Sequence, residues 1–114
     1  MLIGMRSRVL ALLILFAAAA RAAAPAYTEL PPGRYTVGVR GMICTVCARA
    51  VAAEWAKLPE VDKASVDYEQ QSGIVSIRLD RTLQVSSLRK ALRRAERVAN
   101  MGGRYELRDI QYIP

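Results

Sequence analysis

The sequence predicts an α+β domain of ferredoxin-like type: a four-stranded antiparallel sheet with two helices on one face, in the βαββαβ order. Three observations carry this. Apolar residues alternate with period two in four stretches, recur at three and four residues in two others, and the two kinds of stretch follow one another in that order. The segment Gly41-Met42-Ile43-Cys44-Thr45-Val46-Cys47, between the first strand and the first helix, holds both cysteines of the 114-residue chain.

The chain begins with Arg6 and Arg8, then the apolar run Val9–Phe16 and four alanines. A charged segment followed by a hydrophobic one too short to span a bilayer comfortably has the character of a secretory leader. Ala20-Arg21-Ala22 offers small residues at the spacing a signal peptidase reads, with Ala22-Ala23-Ala24 as second choice ahead of Pro25. Residues 1–22 are therefore expected to be a cleaved signal peptide, an uncleaved anchor being the competing reading. No cysteine lies near the cleavage region, so a lipoprotein anchor is not available. The expectation is a periplasmic protein with no membrane insertion after cleavage.

Cleavage leaves about 90 residues, enough for one small domain. It also removes Arg6, Arg8 and Arg21, lowering the formal charge from +7 to +4. The mature chain is basic, but it has one Trp, no Phe and no interleaving of aromatic with basic residues. Nucleic acid is not an expected partner.

Residues 23–33 contain three prolines and a glycine and predict an extended lead-in without a folded element. The domain proper is expected over 34–114. Tyr35, Val37 and Val39 alternate with Thr36, Gly38 and Arg40 as a half-buried strand, which Gly41 breaks. Cys47, Val51, Trp55 and Leu58 recur at four, four and three, an amphipathic helix rich in alanine and stopped by Pro59. Ala64, Val66 and Tyr68 form a second strand; Gln70-Gln71-Ser72-Gly73 has hairpin-loop composition; Val75, Ile77 and Leu79 form a third strand. A second helix is expected from Ser86, as N-cap, to Val98, with Leu88, Ala91, Leu92, Ala95 and Val98 inward. Its other side carries Arg89, Lys90, Arg93, Arg94 and Arg97 against a lone Glu96. This face is either simply solvated or steers an acidic partner. Asn100-Met101-Gly102-Gly103 turns the chain into a last strand from Tyr105 and Leu107 to about Ile110. The expected core is Val37, Val39, Val51, Trp55, Leu58, Val66, Val75, Ile77, Leu88, Leu92, Val98 and Leu107.

The candidate site is Cys44 and Cys47. At the mouth of a helix, unpaired N–H groups and the positive end of the macrodipole favour thiolate over thiol. The thiolate is both nucleophile and metal ligand. The chain has no histidine, so imidazole cannot complete a tetrahedral zinc site, which wants four N or S ligands. An ion content with two or three sulfurs fits better: Cu(I), or by the same softness Ag(I) or Hg(II). A structural disulfide at this spacing closes too small a loop to staple a domain effectively. Cys47 heads the buried stripe and Cys44 precedes the first turn, so one sheltered and one more exposed thiol are expected. Met42 is expected to pack under the loop, as is Met101, although a thioether donor to Cu(I) is the alternative for each.

Gly41-Met42-x-Cys44-x-x-Cys47, a helix with Val51 and an apolar residue at 55, Pro59-x-Val61 and the βαβ that follows resemble the heavy-metal-associated domain family over about residues 34–110. The resemblance implies Hg(II) or Cu(I), one per chain, held by Cys44 and Cys47 and handed to a metal transporter or another dithiol metal-binding protein. It implies a monomer and a binding module, not an enzyme. The exported setting is most similar to periplasmic mercury-binding proteins, with copper chaperones close behind. Two positions depart from the family pattern. Ile43 stands where threonine is usual, and the turn after the second helix, where the family places an aromatic or lysine beside the metal, reads Asn100–Gly103, with Tyr105 slightly later. The alternative function is a small periplasmic thiol–disulfide oxidoreductase. Against it, no Trp directly precedes the first cysteine and the chain is short for a thioredoxin-type core.

Overall fold

The computed structural model describes residues 27–114. The expected leader, its cleavage site and the start of the lead-in lie outside the described residues. In chain order the elements are β1 (Glu29–Leu30), β2 (Gly33–Arg40), α1 (Thr45–Ala56), β3 (Val61–Asp67), β4 (Ser72–Ile77), β5 (Leu83–Gln84), α2 (Val85–Ala99) and β6 (Glu106–Ile113). The main sheet has the order β3-β4-β2-β6 and every neighbouring pair is antiparallel. This is the ferredoxin-like arrangement that the alternation predicts. Among the described residues, no helix is long and apolar enough to cross a membrane.

The covered face of the sheet follows the period-two pattern. Tyr35, Val37 and Val39 of β2 are buried, and they lie opposite Val75 and Tyr112, Gly73 and Ile110, and Leu107 respectively. Over them pack Cys47, Val51 and Trp55 from α1 and Leu88, Ala91, Leu92 and Ala95 from α2. Each large aliphatic side chain buried in this way contributes about 1.5–3 kcal/mol. Trp55 joins the layers: its Nε1 donates to the Leu88 carbonyl at 3.3 Å. Its ring also lies so close to β4 that a Cβ on Gly73 would stand 3.0 Å from it, and 2.6 Å from the Ser65 carbonyl oxygen. Gly73 is thus a strand residue under the indole, not part of the hairpin loop as its composition suggested. The loop is 68–71, closed by Gln71 in the left-handed region at φ 51°.

Several further expectations are corrected. The lead-in contains a folded element: β1 pairs with β5, burying Leu30 and Leu83, and the Tyr35 hydroxyl donates to the Pro31 carbonyl at 2.8 Å. This small sheet also replaces the expected Ser86 cap. The N-cap is Gln84, two residues earlier, and the Val85 N–H, one of the donors a helix start leaves over, goes to the Thr28 carbonyl at 2.9 Å. Leu79 is exposed because β4 ends at Ile77 and the chain turns, with Arg81 N–H bonded to the Arg78 carbonyl at 3.1 Å. Val98 is 65% exposed although it follows the buried Ala91 by seven residues on the same side of α2; it stands in the last turn, where Ala99 and not Val98 packs against the core. Leu58, Val66 and Leu107 are partly buried at the margin of the core. Met42 packs in the core as expected, whereas Met101 does not, being 47% exposed.

The basic face of α2 is partly paired. Arg93 bonds Glu96 at 2.6 Å, and Arg94 reaches across to Glu54 of α1 at 3.2 Å, where Lys57 also binds at 2.9 Å. Glu54 is buried. The Lys57 hydrogen bond holds its carboxyl below the usual range, with Arg94 assisting, against the cost of burial.

Candidate functional site

The cysteine loop is set by its ends. Gly41 has φ +99°, open to glycine at little cost, and the Arg104 carbonyl occupies the space a side chain there would need. Met42 then turns its side chain into the core. Cys44 is the N-cap of α1 in extended conformation, and its carbonyl accepts from the N–H groups of Cys47 at 3.1 Å and Ala48 at 3.4 Å. The first turn of the helix therefore fixes the two cysteines relative to one another.

Both cysteines are free thiols. Their sulfurs are 3.9 Å apart, well beyond the roughly 2.05 Å of a disulfide. Cys47 is fully buried and Cys44 half-buried, the asymmetry that the apolar stripe predicts. Among the described residues, no group of three or more His, Cys, Asp or Glu side chains gathers here or elsewhere. The thiol donors at the site are Cys44 and Cys47.

Burial pushes the Cys47 thiol up. Hydrogen bonding from Tyr105, from the Ile43 backbone and from Cys44 outweighs that and leaves the thiol more acidic than usual. Tyr105 is shifted the other way: its burial, its bond to Cys47 and the negative charge of Cys47, Cys44 and Glu96 all raise it, so the phenol keeps its proton. The hydroxyl is thereby available as a donor to sulfur. Glu96 fixes the residue itself, accepting from the Tyr105 backbone N–H at 2.8 Å.

This corrects the reading of the turn after α2. Asn100–Gly103 carries no aromatic, but the chain folds back so that Tyr105, just before β6, fills the place beside the thiols. Sequence spacing hid it because Tyr105 appeared to open the strand. The other residue missed is Gln71, whose side chain reaches the loop at the Met42 carbonyl. It sits in a polar turn where nothing in the sequence marks it.

The Heavy-metal-associated domain family model matches residues 36–97, more than half of the chain. The protein belongs to the heavy-metal-associated domain family. Heavy-metal binding is the class of function that membership carries. Similar solved structures include a copper binding domain from a P-type ATPase, at 24% identity and TM-score 0.52, the alignment covering 69% of this chain and 97% of that one. Others are the CopZ metallochaperone, at 22% identity and TM-score 0.50 over 67% of this chain and all of that one, and the N-terminal domain of a potential copper-translocating P-type ATPase from Bacillus subtilis in its Cu(I)-loaded state, at 22% and 0.50 over 70% and 91%. At these identities the likeness establishes the fold. No curated protein matches the chain significantly by sequence. Strand β1, at Glu29–Leu30, precedes the matched span and pairs with β5 inside it.

Proposed function

We propose that this protein is a periplasmic carrier that takes one soft metal ion, Hg(II) or Cu(I), between Cys44 and Cys47 and passes it to a dithiol site on a metal transporter or another metal-binding protein. The carrying observation is the preformed pair of sulfurs, 3.9 Å apart, one buried and one half-exposed. With metal–thiolate bonds of about 2.3 Å, sulfurs at that separation subtend about 116°, whereas a linear ion needs about 4.6 Å. A small side-chain rotation reaches the linear state, and the resting geometry suits three sulfurs around one ion.

Transfer then proceeds by ligand exchange. Cys44, the accessible thiol, meets the incoming ion or the partner's cysteine; Cys47 closes the chelate from below. A partner thiolate adds to give a three-sulfur intermediate, and an original ligand leaves with the partner's second thiolate taking its place. The ion changes neither oxidation state nor number. The periplasmic setting is supported by the Arg-then-apolar character of residues 1–22.

The test offers reduced, metal-loaded protein to a second dithiol protein, and in parallel supplies metal-free protein with a disulfide substrate. We expect transfer faster than dissociation to solvent and no catalytic turnover. Efficient multiple turnover without metal transfer would establish the oxidoreductase reading instead.

A further inference from the structure

Gln71 closes the β3–β4 turn from two directions. Its backbone, at φ 51°, gives its carbonyl to the Val39 N–H at 2.9 Å, near the end of β2. Its side-chain Nε2 donates to the Tyr68 carbonyl at 2.7 Å within the turn and to the Met42 carbonyl at 3.1 Å in the cysteine loop. One residue thus ties the hairpin to the strand leading into the loop and to the loop itself.

The Met42 carbonyl shares a planar peptide unit with the Ile43 N–H, so fixing the one aims the other in the opposite direction. We infer that Gln71 is a positioning residue for the dithiol: its amide sets the Met42–Ile43 peptide and so the path of the loop that brings the Cys44 sulfur opposite Cys47. One residue earlier, the Arg104 carbonyl lies so close to Gly41 that a side chain there would overlap it. The Ile43 N–H belongs to that same peptide, so a turned peptide would be felt at this amide. Groups that orient metal ligands in this way matter to affinity although they never touch the ion.

This inference rests on the metal-carrier reading for its functional consequence, but its structural half is measured separately. Gln71→Gly retains the left-handed backbone and removes the amide; Gln71→Glu keeps the reach and replaces the donor by an acceptor. Gln70→Glu, one residue away, controls for added charge. Two quantities are read for each protein: amide hydrogen exchange at Ile43 and Cys44 by NMR, and Cu(I) affinity in competition with a Cu(I) chelator, with thermal midpoints alongside. Both Gln71 variants are expected to exchange the Ile43 amide faster and to lose about tenfold in Cu(I) affinity, with midpoints lowered by no more than the loss of two hydrogen bonds accounts for, while the Gln70→Glu values stay near wild type. Unchanged Ile43 exchange in Gln71→Gly, or equal changes in Gln70→Glu, overturns the inference. If wild type takes up no Cu(I), the carrier reading fails for that ion, and the exchange data alone decide the role of Gln71.

Discussion

The phenol of Tyr105 and the sulfur of Cys47 are both buried and act on each other, the thiol made more acidic and the phenol less so. Their segments are far apart in sequence, one opening α1 and the other entering β6. What joins them is the return of the chain after α2, held by the Glu96 carboxylate on the Tyr105 N–H. Tyr105→Phe keeps the ring and removes the donor. The Cys47 thiol is then expected to titrate at higher pH than in wild type, read from the cysteine 13Cβ shift. A global stability loss of about 0.5–1.5 kcal/mol is expected with it. An unmoved Cys47 titration would show that the phenol only fills space.

Access and acidity pull Cys47 in opposite directions. It is more acidic than its ordinary value, yet fully buried, whereas Cys44 is half-buried at the loop. An alkylating reagent must reach the sulfur before its charge state matters, so reduced, metal-free protein is expected to be modified first at Cys44. Top-down mass spectrometry of the singly modified product locates the adduct. First modification at Cys47 would contradict the exposure seen here.

Two glycines carry steric obligations of different kinds. Gly73→Ala drives a methyl against the Trp55 ring and the Ser65 carbonyl, and overpacking of this sort costs about 1–3 kcal/mol, read by urea unfolding. Gly41→Ala adds left-handed strain to an overlap with the Arg104 carbonyl, directly at the loop. It is expected to weaken soft-metal binding as well as stability, whereas Gly73→Ala lowers stability and spares the affinity of the molecules that remain folded.

Much of the fold is legible because burial on one face enforces alternation: Tyr35, Val37 and Val39 could not be read otherwise, and Cys47, Val51 and Trp55 mark a helix by their spacing. The cysteine site is legible because its two ligands are local. What escaped depends on contacts between distant segments. Leu30 and Leu83 are buried only because β1 meets β5, and a proline-rich lead-in gives no periodic sign of that. Gly73 looks like a turn glycine until the indole is placed over it. Tyr105 and Gln71 reach the loop from two different turns. Periodicity also runs on too far, continuing to Leu79 after the strand has ended and to Val98 in the last turn of the helix, which stands exposed.

Glu54 gives the domain a pH dependence of known sign. Its folded carboxyl is more acidic than the unfolded one, chiefly through Lys57, so the folded state holds fewer protons. The stability it contributes is complete above the unfolded value of about 4.3 and is lost as pH falls through the folded value. Glu54→Gln is expected to lower stability at pH 7 by about 1–3 kcal/mol, with the gap to wild type narrowing below pH of about 4. Denaturant unfolding at both pH values checks this; a gap that widens on acidification would reverse the assignment.

The central claim is that two thiolates, Cys44 and Cys47, hold one soft ion. Native mass spectrometry of the reduced protein, offered Hg(II), Cu(I) and Zn(II) in competition, tests it most directly, with Cys44→Ser and Cys47→Ser in parallel. One soft ion per chain is expected, in strong preference to zinc, with most of the affinity gone in either serine variant because a hydroxyl is a hard, protonated ligand at neutral pH. Tight binding of one zinc ion by a single chain, or soft-metal binding that survives loss of either cysteine, would contradict it.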